Sequence, residues 1–537
     1  MSFLRLSAAL LSLFVALSGI ATAQSPATSG RTVVVIPFEN QSQTPGLEWI
    51  GEGIPEILGE RLNSPTLYVV PREDRIRAYD RVGIPNGIHP TRATLYRMAE
   101  QMDVDYVVLG NYSFDGRMFT TTAQVLDLGH TRLLPAMTES GPLLELIDVQ
   151  TALAWDVMHS LRPELSTTRE AFKATAPPVR LDAFENYVRG IIAANAQEQI
   201  RHFREAVRLN PEYPEALLHS GMTYFREREY DQAVSWLGRV PATDPHAGQA
   251  NFYLALAAYS QGDYERAESA LNFVAARLPL TEVYNNLGVV AARRGKKNAA
   301  EYFQKAIDAD PNDPDYHFNL AVTFYRGGDL AGASRQLRVT LGLTPGDADA
   351  KALLETISAD ASARAEQRPA SANKAPMERL RRNYDESSFR QLALKIEATA
   401  EQRLAKTDPH THAHYHTDRG HELLTQGFVT EAEREFREAL ALDPSQAASH
   451  AGLAQVLELG GDPAGARSEA EAALRLQQFA EPLLVLVRLD LRDNRTEQAS
   501  ENVNQALRLE PSNVQAQALK RTVAAKLAGK AQPLPNP

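Results

Sequence analysis

Proline recurs along much of the chain with a period of about 34 residues. Pro211, Pro245 and Pro279 stand 34 residues apart, and Pro345 stands 34 residues after Pro311. Self-similarity at a fixed period of 20 to 50 residues is typical of repeat proteins, in which each unit packs mainly on its neighbours. The period therefore constrains the fold more than any other feature of the sequence.

The spacing within one unit predicts a pair of antiparallel helices. In one unit Gly221 is followed by Ala233, then by Leu237 and finally by Pro245, and other units keep nearly the same intervals. Small residues at facing positions let two helices approach closely, the bulky residue fills the space between them, and proline ends the second helix. At least eight such units are expected over residues 178–513.

This spacing resembles the tetratricopeptide repeat (TPR). The resemblance implies an all-α superhelix, or α-solenoid, in two segments. Residues 178–357 are expected to form about five repeats, and residues 377–530 three to four repeats plus a capping helix. Between them, residues 358–376 are rich in Ala, Ser, Arg and Glu and predict a linker.

The resemblance further implies that the first helix of each pair lines a concave groove. The groove positions are mostly apolar or aromatic, unlike the Lys/Asn set of TPR carboxylate clamps, and they predict an apolar or helical peptide partner. The alternative is that the protein's own helix or linker covers the aromatic residues. The predicted positions are Leu218, Met222, Phe225, Phe252, Leu256, Tyr259, Asn285, Val289, Ala292, Phe318, Val322 and Tyr325.

The N-terminal part of the chain predicts a small α/β domain over residues 31–163. A β-branched run ends at Pro37, helical patterns follow, and Asp115-Gly116 joins two strand-like segments as in a hairpin. In its VVIPFEN run and its hairpin, the region resembles the N-terminal α/β domain of the TolB periplasmic protein, which implies an interaction or assembly module. The predicted fold class is therefore α+β multidomain.

The first residues predict an export signal. Arg5 precedes an apolar run over residues 8–20, and Ala21-Thr22-Ala23 forms a small-x-small site before Gln24. A signal peptide of residues 1–23 predicts a periplasmic or secreted protein, with an uncleaved N-terminal anchor as the alternative. The apolar run is shorter than the roughly 20 residues that span a bilayer, and no transmembrane segment is expected after cleavage.

Composition removes several classes of function. The 537 residues include no cysteine, which excludes disulfides, thiol catalysis and cysteine-ligated metals, and the formal net charge of −11 argues against nucleic-acid binding. No cofactor is predicted. The expected partners are other proteins of the cell envelope.

A histidine cluster suggests a second kind of site. His414, Asp418 and His421 fall at i, i+4 and i+7 of a possible helix, a spacing that suits Zn²⁺ or Ni²⁺. The alternative is an ordinary polar helix of a repeat. An HExxH motif beginning at His421 fails because Thr425 takes its last position.

Three hypotheses follow. The first is a non-catalytic, exported bacterial TPR scaffold that binds partner segments in its groove. The second is a metal-responsive or sensory protein that uses the cluster from His410 to His421. The third is an enzyme, which would require a deep polar pocket with perturbed carboxylates where the N-terminal domain meets the repeats.

Overall fold

The computed structural model describes residues 31–64, 66–84, 90–163, 165–365, 376–404, 407–425 and 428–530. The predicted signal peptide, residues 1–23, lies outside the described residues, as do positions 366–375 of the predicted linker.

The N-terminal region contains a sheet with helices on its faces. Strand β1 pairs in parallel with β3 and β4, and the central strand β4 forms a long antiparallel hairpin with β5 across Asp115-Gly116. Gly116 takes a φ of 95°, a left-handed conformation that glycine adopts without strain. The elements are β1 (Arg31–Val35), β2 (Glu39–Asn40), α1 (Ile50–Leu62), β3 (Leu67–Val69), α2 (Arg72–Val82), α3 (Arg92–Met102), β4 (Tyr106–Phe114), β5 (Met118–Asp127), β6 (Arg132–Leu133), β7 (Met137–Pro142), α4 (Leu146–Leu161) and α5 (Arg169–Ala174).

Both faces of this sheet are covered. One face packs with α1 and α4 into a core that continues into the first repeats through Phe184 and Tyr187. The other packs with α2 and α3 around Ile36 and Met98. Because the first core is continuous, the N-terminal region and the repeats pack as neighbours.

Helical hairpins make up the rest. The first series comprises α6 (Leu181–Ile192), α7 (Ala196–Leu209), α8 (Pro214–Arg226), α9 (Tyr230–Leu237), α10 (Ala247–Gln261), α11 (Tyr264–Ala275), α12 (Thr281–Arg293), α13 (Ala299–Ala309), α14 (Pro314–Gly327), α15 (Leu330–Leu343) and the unpaired α16 (Ala348–Ala365). After α17 (Glu386–Leu404), the second series comprises α18 (Pro409–Thr425), α19 (Val429–Leu442), α20 (Ala447–Leu459), α21 (Pro463–Leu476), α22 (Ala480–Arg492), α23 (Thr496–Leu509) and α24 (Val514–Lys530).

The small and bulky residues of the repeat pattern meet inside each hairpin. Phe303 of α13 and Phe436 of α19 are fully buried, as are the alanines three positions after them. A Cβ added at Gly288 of α12 would lie 2.6 Å from the Phe303 ring. The small and bulky residues of the repeat pattern therefore pack against each other between the two helices, as the spacing predicts.

Three local features differ from the sequence prediction. The stretch predicted as a linker from residue 358 continues α16 as far as Ala365, because the helix has no breaker before that point. Residues 377–385, which begin the predicted second array and carry apolar residues at helical spacing, form neither helix nor strand, and the helix begins only at Glu386. Helix α2 was not predicted, because its sequence is mostly charged.

The close contact at Gly288 gives a test of the repeat packing. Gly288→Ala should lower the free energy of unfolding by about 1 to 3 kcal/mol, since an overpacked core forces side chains aside. The matched control is Gly342→Ala on the exposed side of α15, where an added Cβ meets nothing within 4 Å. That change should raise stability by about 0.5 to 1 kcal/mol. Urea midpoints followed by circular dichroism measure both, and equal effects would contradict the packing argument.

Candidate functional site

The first helices of three successive hairpins, α10, α12 and α14, share one face, and residues 376–385 of the same chain lie along it. We call this surface the first-helix face and these residues the latch. The latch reaches from Arg326 of α14, which donates to the Pro376 carbonyl at 2.9 Å, to Glu282 of α12, which accepts from the Asp385 amide at 2.7 Å.

Asparagine side chains hold the backbone of the latch. Asn319 accepts from the Arg379 amide at 2.6 Å and donates to the Arg379 carbonyl at 2.8 Å. Asn286 makes the same pair of bonds with Arg381, both at 2.8 Å, and Asn285 donates to the Arg379 carbonyl at 2.9 Å. All three amides are fully buried. Bonds to alternate residues require an extended segment, because side chains and peptide groups alternate in direction along an extended chain.

A buried glutamate fixes the start of the latch. The Glu378 side chain is fully buried and forms ion pairs with Arg293, at 3.1 Å, and with Arg326. A carboxylate removed from water in this way requires opposite charges around it. The position therefore discriminates between glutamate and a neutral or basic residue.

Two arginines of the latch point at aspartates around α14. Arg379 pairs with Asp347 at 2.7 Å and with Asp315 at 2.9 Å, and its guanidinium lies 3.7 Å from the centre of the Phe318 ring. The hydrogen bond from Arg379 holds the pKa of Asp347 below its usual value. Arg381 pairs with Asp313 and, at 3.1 Å, with Asp315.

Apolar contacts complete the binding of the latch. Leu380 packs on the core of the first hairpin series, and the Tyr384 ring lies 5.4 Å from that of Phe252. Gly248 provides the room, because a Cβ there would lie 2.7 Å from the Tyr384 hydroxyl oxygen.

The predicted groove residues occupy several different positions. Phe252, Asn285 and Phe318 contact the latch as described above. Leu218, Leu256, Val289 and Val322 are buried in the packed hairpins, and Met222, Phe225, Tyr259, Ala292 and Tyr325 are half-buried. Sequence reasoning missed Asn286 and Asn319, although Asn319 follows Asn285 by one 34-residue period.

A second feature, which we call the junction chamber, lies where the N-terminal region meets the repeats. It is a cavity of about 320 Å³ between α1, α2, α8, α10 and the stretch from Tyr384 to Arg390. Tyr384 and Asp385 of the latch form part of its wall, and shortly after them Ser387 of α17 donates to Asp74 of α2 and lies 2.5 Å from the Tyr68 hydroxyl oxygen.

Arginines that line the junction chamber are paired with carboxylates. Arg72 and Arg75 both bond to Glu52, Arg77 bonds to Asp74, and Arg390 bonds to Glu386. These four cations are therefore engaged within the walls.

Two glutamates of α1 titrate near neutral pH. Burial raises the pKa of Glu56 to about 7, although Tyr187 donates a hydrogen bond to it at 2.7 Å. Desolvation by its surroundings, together with repulsion from Glu215, also raises the pKa of Glu60. Across the cavity, desolvation lowers the pKa of His246, but the hydrogen bond that its ring donates to Asp244 and the nearby charges of Glu215 and Glu60 together outweigh this and raise the pKa to about 9.

The junction chamber has the features that the enzyme hypothesis requires, a polar cavity with perturbed carboxylates. Groups with a pKa near 7 are suited to general acid–base chemistry. Carboxylates enclosed where two structural units pack acquire the same shifts without any catalytic role.

The histidine cluster forms pairs on α18 rather than the predicted set. His410 and His414 have their Nε2 atoms 3.2 Å apart, and those of His412 and His416 are 3.1 Å apart. The His421 ring packs on Phe436, at 4.9 Å between centres. Among the described residues, no group of three or more His, Asp or Glu side chains is arranged to hold a metal ion.

Family comparisons identify the hairpins. Models of the tetratricopeptide repeat match residues 200–248, 237–279, 252–314 and 417–481, and another model of the same repeat matches residues 297–357. The hairpins within these ranges are tetratricopeptide repeats. Repeats of this type are typically non-catalytic and bind other proteins. Comparison with curated proteins gave no match.

Solved structures resemble parts of the chain. MamA (residues 41 to the end) from Desulfovibrio magneticus RS-1 is 22% identical, with a TM-score of 0.30 over 32% of this chain and 99% of that one. YrrB, described as a TPR protein with an unusual peptide-binding site, is 16% identical, with a TM-score of 0.30 over 38% and 99%. A tetratricopeptide repeat protein from Parabacteroides merdae ATCC 43184 is 12% identical, with a TM-score of 0.25 over 58% and 98%.

The raised pKa of Glu56 predicts a pH-dependent stability. The Glu56 carboxyl loses its proton at about pH 7 in the folded protein and at about pH 4.5 in the unfolded chain. The buried charge therefore does not lower the free energy of unfolding below pH 4.5, and it lowers it by the full amount above pH 7. Glu56→Gln, which keeps an acceptor for Tyr187, should therefore stabilise the protein by roughly 1 to 3 kcal/mol at pH 8 and by little at pH 4.5. Urea midpoints at the two pH values measure the difference.

The control for this measurement is Glu301→Gln, at an exposed position of α13. Equal effects of Glu56→Gln at both pH values would show that the carboxyl is not perturbed in the folded protein.

Proposed function

We propose that the protein is an exported bacterial scaffold whose first-helix face binds extended segments of partner proteins in the cell envelope. The observation that carries the proposal is the latch. Three buried asparagines bond to the backbone of an extended segment, and charged side chains of the face contact its side chains.

Such a surface suits peptide binding because its two kinds of contact have different effects. Bonds from Asn286 and Asn319 to peptide groups provide affinity for any extended chain, whereas the ion pairs around Glu378 and Arg379 select the sequence. The partner segment expected from these contacts is extended and charged. This differs from the apolar or helical segment that the aromatic groove positions predict.

The remaining parts of the proposal rest on the sequence. The n-region, apolar run and small-x-small site within residues 1–23 support export to the periplasm or beyond. The resemblance of residues 31–163 to the TolB N-terminal domain supports an assembly role in the envelope. None of the described helices is both long enough and apolar enough to cross a membrane.

Export is tested with a reporter that is active only outside the cytoplasm, such as an alkaline phosphatase fused after Pro537. The full chain should give high activity in the periplasmic fraction and lose its N-terminal residues up to Ala23, as N-terminal sequencing would show. A variant with Leu10→Arg and Leu11→Arg interrupts the apolar run and should remain inside the cell. Equal activity of the two fusions would contradict the export signal.

Partner binding is tested by photo-crosslinking in bacterial cells. The full chain, with residues 376–385 replaced by glycine and serine so that the face is vacant, carries a photoreactive amino acid in place of Tyr259 on α10. Intermolecular adducts with envelope proteins should form there, and should be absent when the same group replaces Val339, which is 41% exposed on α15. Equal adducts at both positions, or none at Tyr259, would contradict binding at the first-helix face.

A further inference from the structure

The latch occupies the surface that the proposed function assigns to partners. Its contacts include backbone bonds at Arg379 and Arg381, a fully buried carboxylate at Glu378, and paired guanidinium groups on both arginines. A partner that uses the same asparagines must displace the latch first, because Asn286 and Asn319 already have both a donor and the acceptor engaged with the latch backbone. Asn285 donates to the same backbone and accepts from Asn319.

Covalent connection favours the latch in this competition. A tethered segment meets its site at an effective concentration that reaches the millimolar range for short flexible connections, so a free segment of equal intrinsic affinity binds far more weakly. The apparent affinity for a partner falls by the fraction of molecules in which the face is vacant.

The latch also shows which side chains the face accepts. Position 378 lies between Arg293 and Arg326, which requires an acidic residue. Position 379 lies against Asp315, Asp347 and the Phe318 ring, and position 381 lies against Asp313 and Asp315, so both require a planar cation. Position 380 packs on the apolar core. By contrast, Arg382 is exposed, and the face places no such demand on it.

We propose that the latch is an intramolecular competitor that closes the first-helix face, and that the partners which displace it carry an extended Glu-Arg-apolar-Arg segment. This inference rests on the proposed function, because it names the regulation of the same surface and the class of segment that the surface recognises.

Displacement of the latch would also affect contacts outside the first-helix face. The chain continues directly from the latch into Ser387, which bonds to Asp74 of α2, and into α17, where Lys395 pairs with Asp103 of the N-terminal region. Release of the latch therefore leaves one wall of the junction chamber less firmly held. Peptide binding at the first-helix face would in this way affect how the N-terminal region packs.

The test uses the full chain and a fluorescein-labelled peptide of residues 375–385. Fluorescence anisotropy compares the wild-type protein with an open variant that carries Glu378→Ala, Arg379→Ala and Arg381→Ala in the latch and leaves the face unchanged. The peptide should bind the open variant at least tenfold more tightly than the wild type. Arg382→Ala, at an exposed position of the latch, is the matched control and should behave as the wild type.

A replacement variant and two further measurements keep the test decisive. If the triple variant unfolds by circular dichroism, Glu378→Arg replaces it, because a single cation between Arg293 and Arg326 also expels the latch. A second peptide, with alanine at the positions of Arg379 and Arg381, should bind the open variant at least tenfold more weakly than the first. Binding of the first peptide should weaken as salt is raised.

The possible outcomes separate this inference from the proposed function. If neither peptide binds any folded variant, the proposal that the first-helix face binds peptides is wrong, and so is the inference that the latch competes with them. If the first peptide binds wild type and open variant equally, the face binds peptides but the latch is no competitor. If the open variant binds both peptides equally, the latch competes but the recognition pattern is wrong.

Discussion

The structure depends on how three buried asparagine amides are satisfied. Asn285, Asn286 and Asn319 lie fully buried under the latch and bond to its backbone. A buried amide without a hydrogen-bond partner costs on the order of 1 to 3 kcal/mol, so this face is stable only when a peptide backbone or water covers it. The amides hold the latch in place, and the latch in turn positions α17 against the N-terminal region. A polar surface inside a helical repeat thus determines how distant parts of the chain meet.

Sequence reasoning predicted the hairpins because their packing is local and periodic. Gly288 and Phe303 meet within one unit, so their spacing along the chain is set by helix geometry alone. The latch could not be predicted in the same way. Leu380 and Tyr384 have helical spacing, and only the asparagines of distant helices make the segment extended. The recurrence of asparagine at positions 285 and 319, one period apart on first helices, was the available signal. Two polar residues at equivalent positions are unexpected in a face that otherwise predicts apolar contacts.

The histidine cluster shows a similar limit. Its i, i+4 and i+7 spacing correctly suggests a helix, but the ring orientations are set by residues of neighbouring elements. The Nδ1 atom of His416 lies 2.7 Å from Glu435 on α19, and that of His410 lies 2.7 Å from Asp443 in the following loop. The second ring nitrogen of His416 lies beside His412, and that of His410 lies beside His414. The spacing along one helix could not reveal partners supplied by the next.

The junction chamber and the latch share one stretch of chain, which connects their energetics. Tyr384 contacts the first-helix face and lines the chamber, and Glu386, Ser387 and Arg390 complete the wall facing α2. Burial beside the same chamber raises the pKa of Glu56, which lies on α1 and accepts a hydrogen bond from Tyr187 of α6. A change that moves the wall would alter this desolvation, and by thermodynamic linkage protonation of the carboxyl would then alter the free energy of the movement by the same amount. The polar chamber can therefore influence the packing of the protein without being a catalytic site. It is the place where the chain that follows the latch meets α1 and α2 of the N-terminal region.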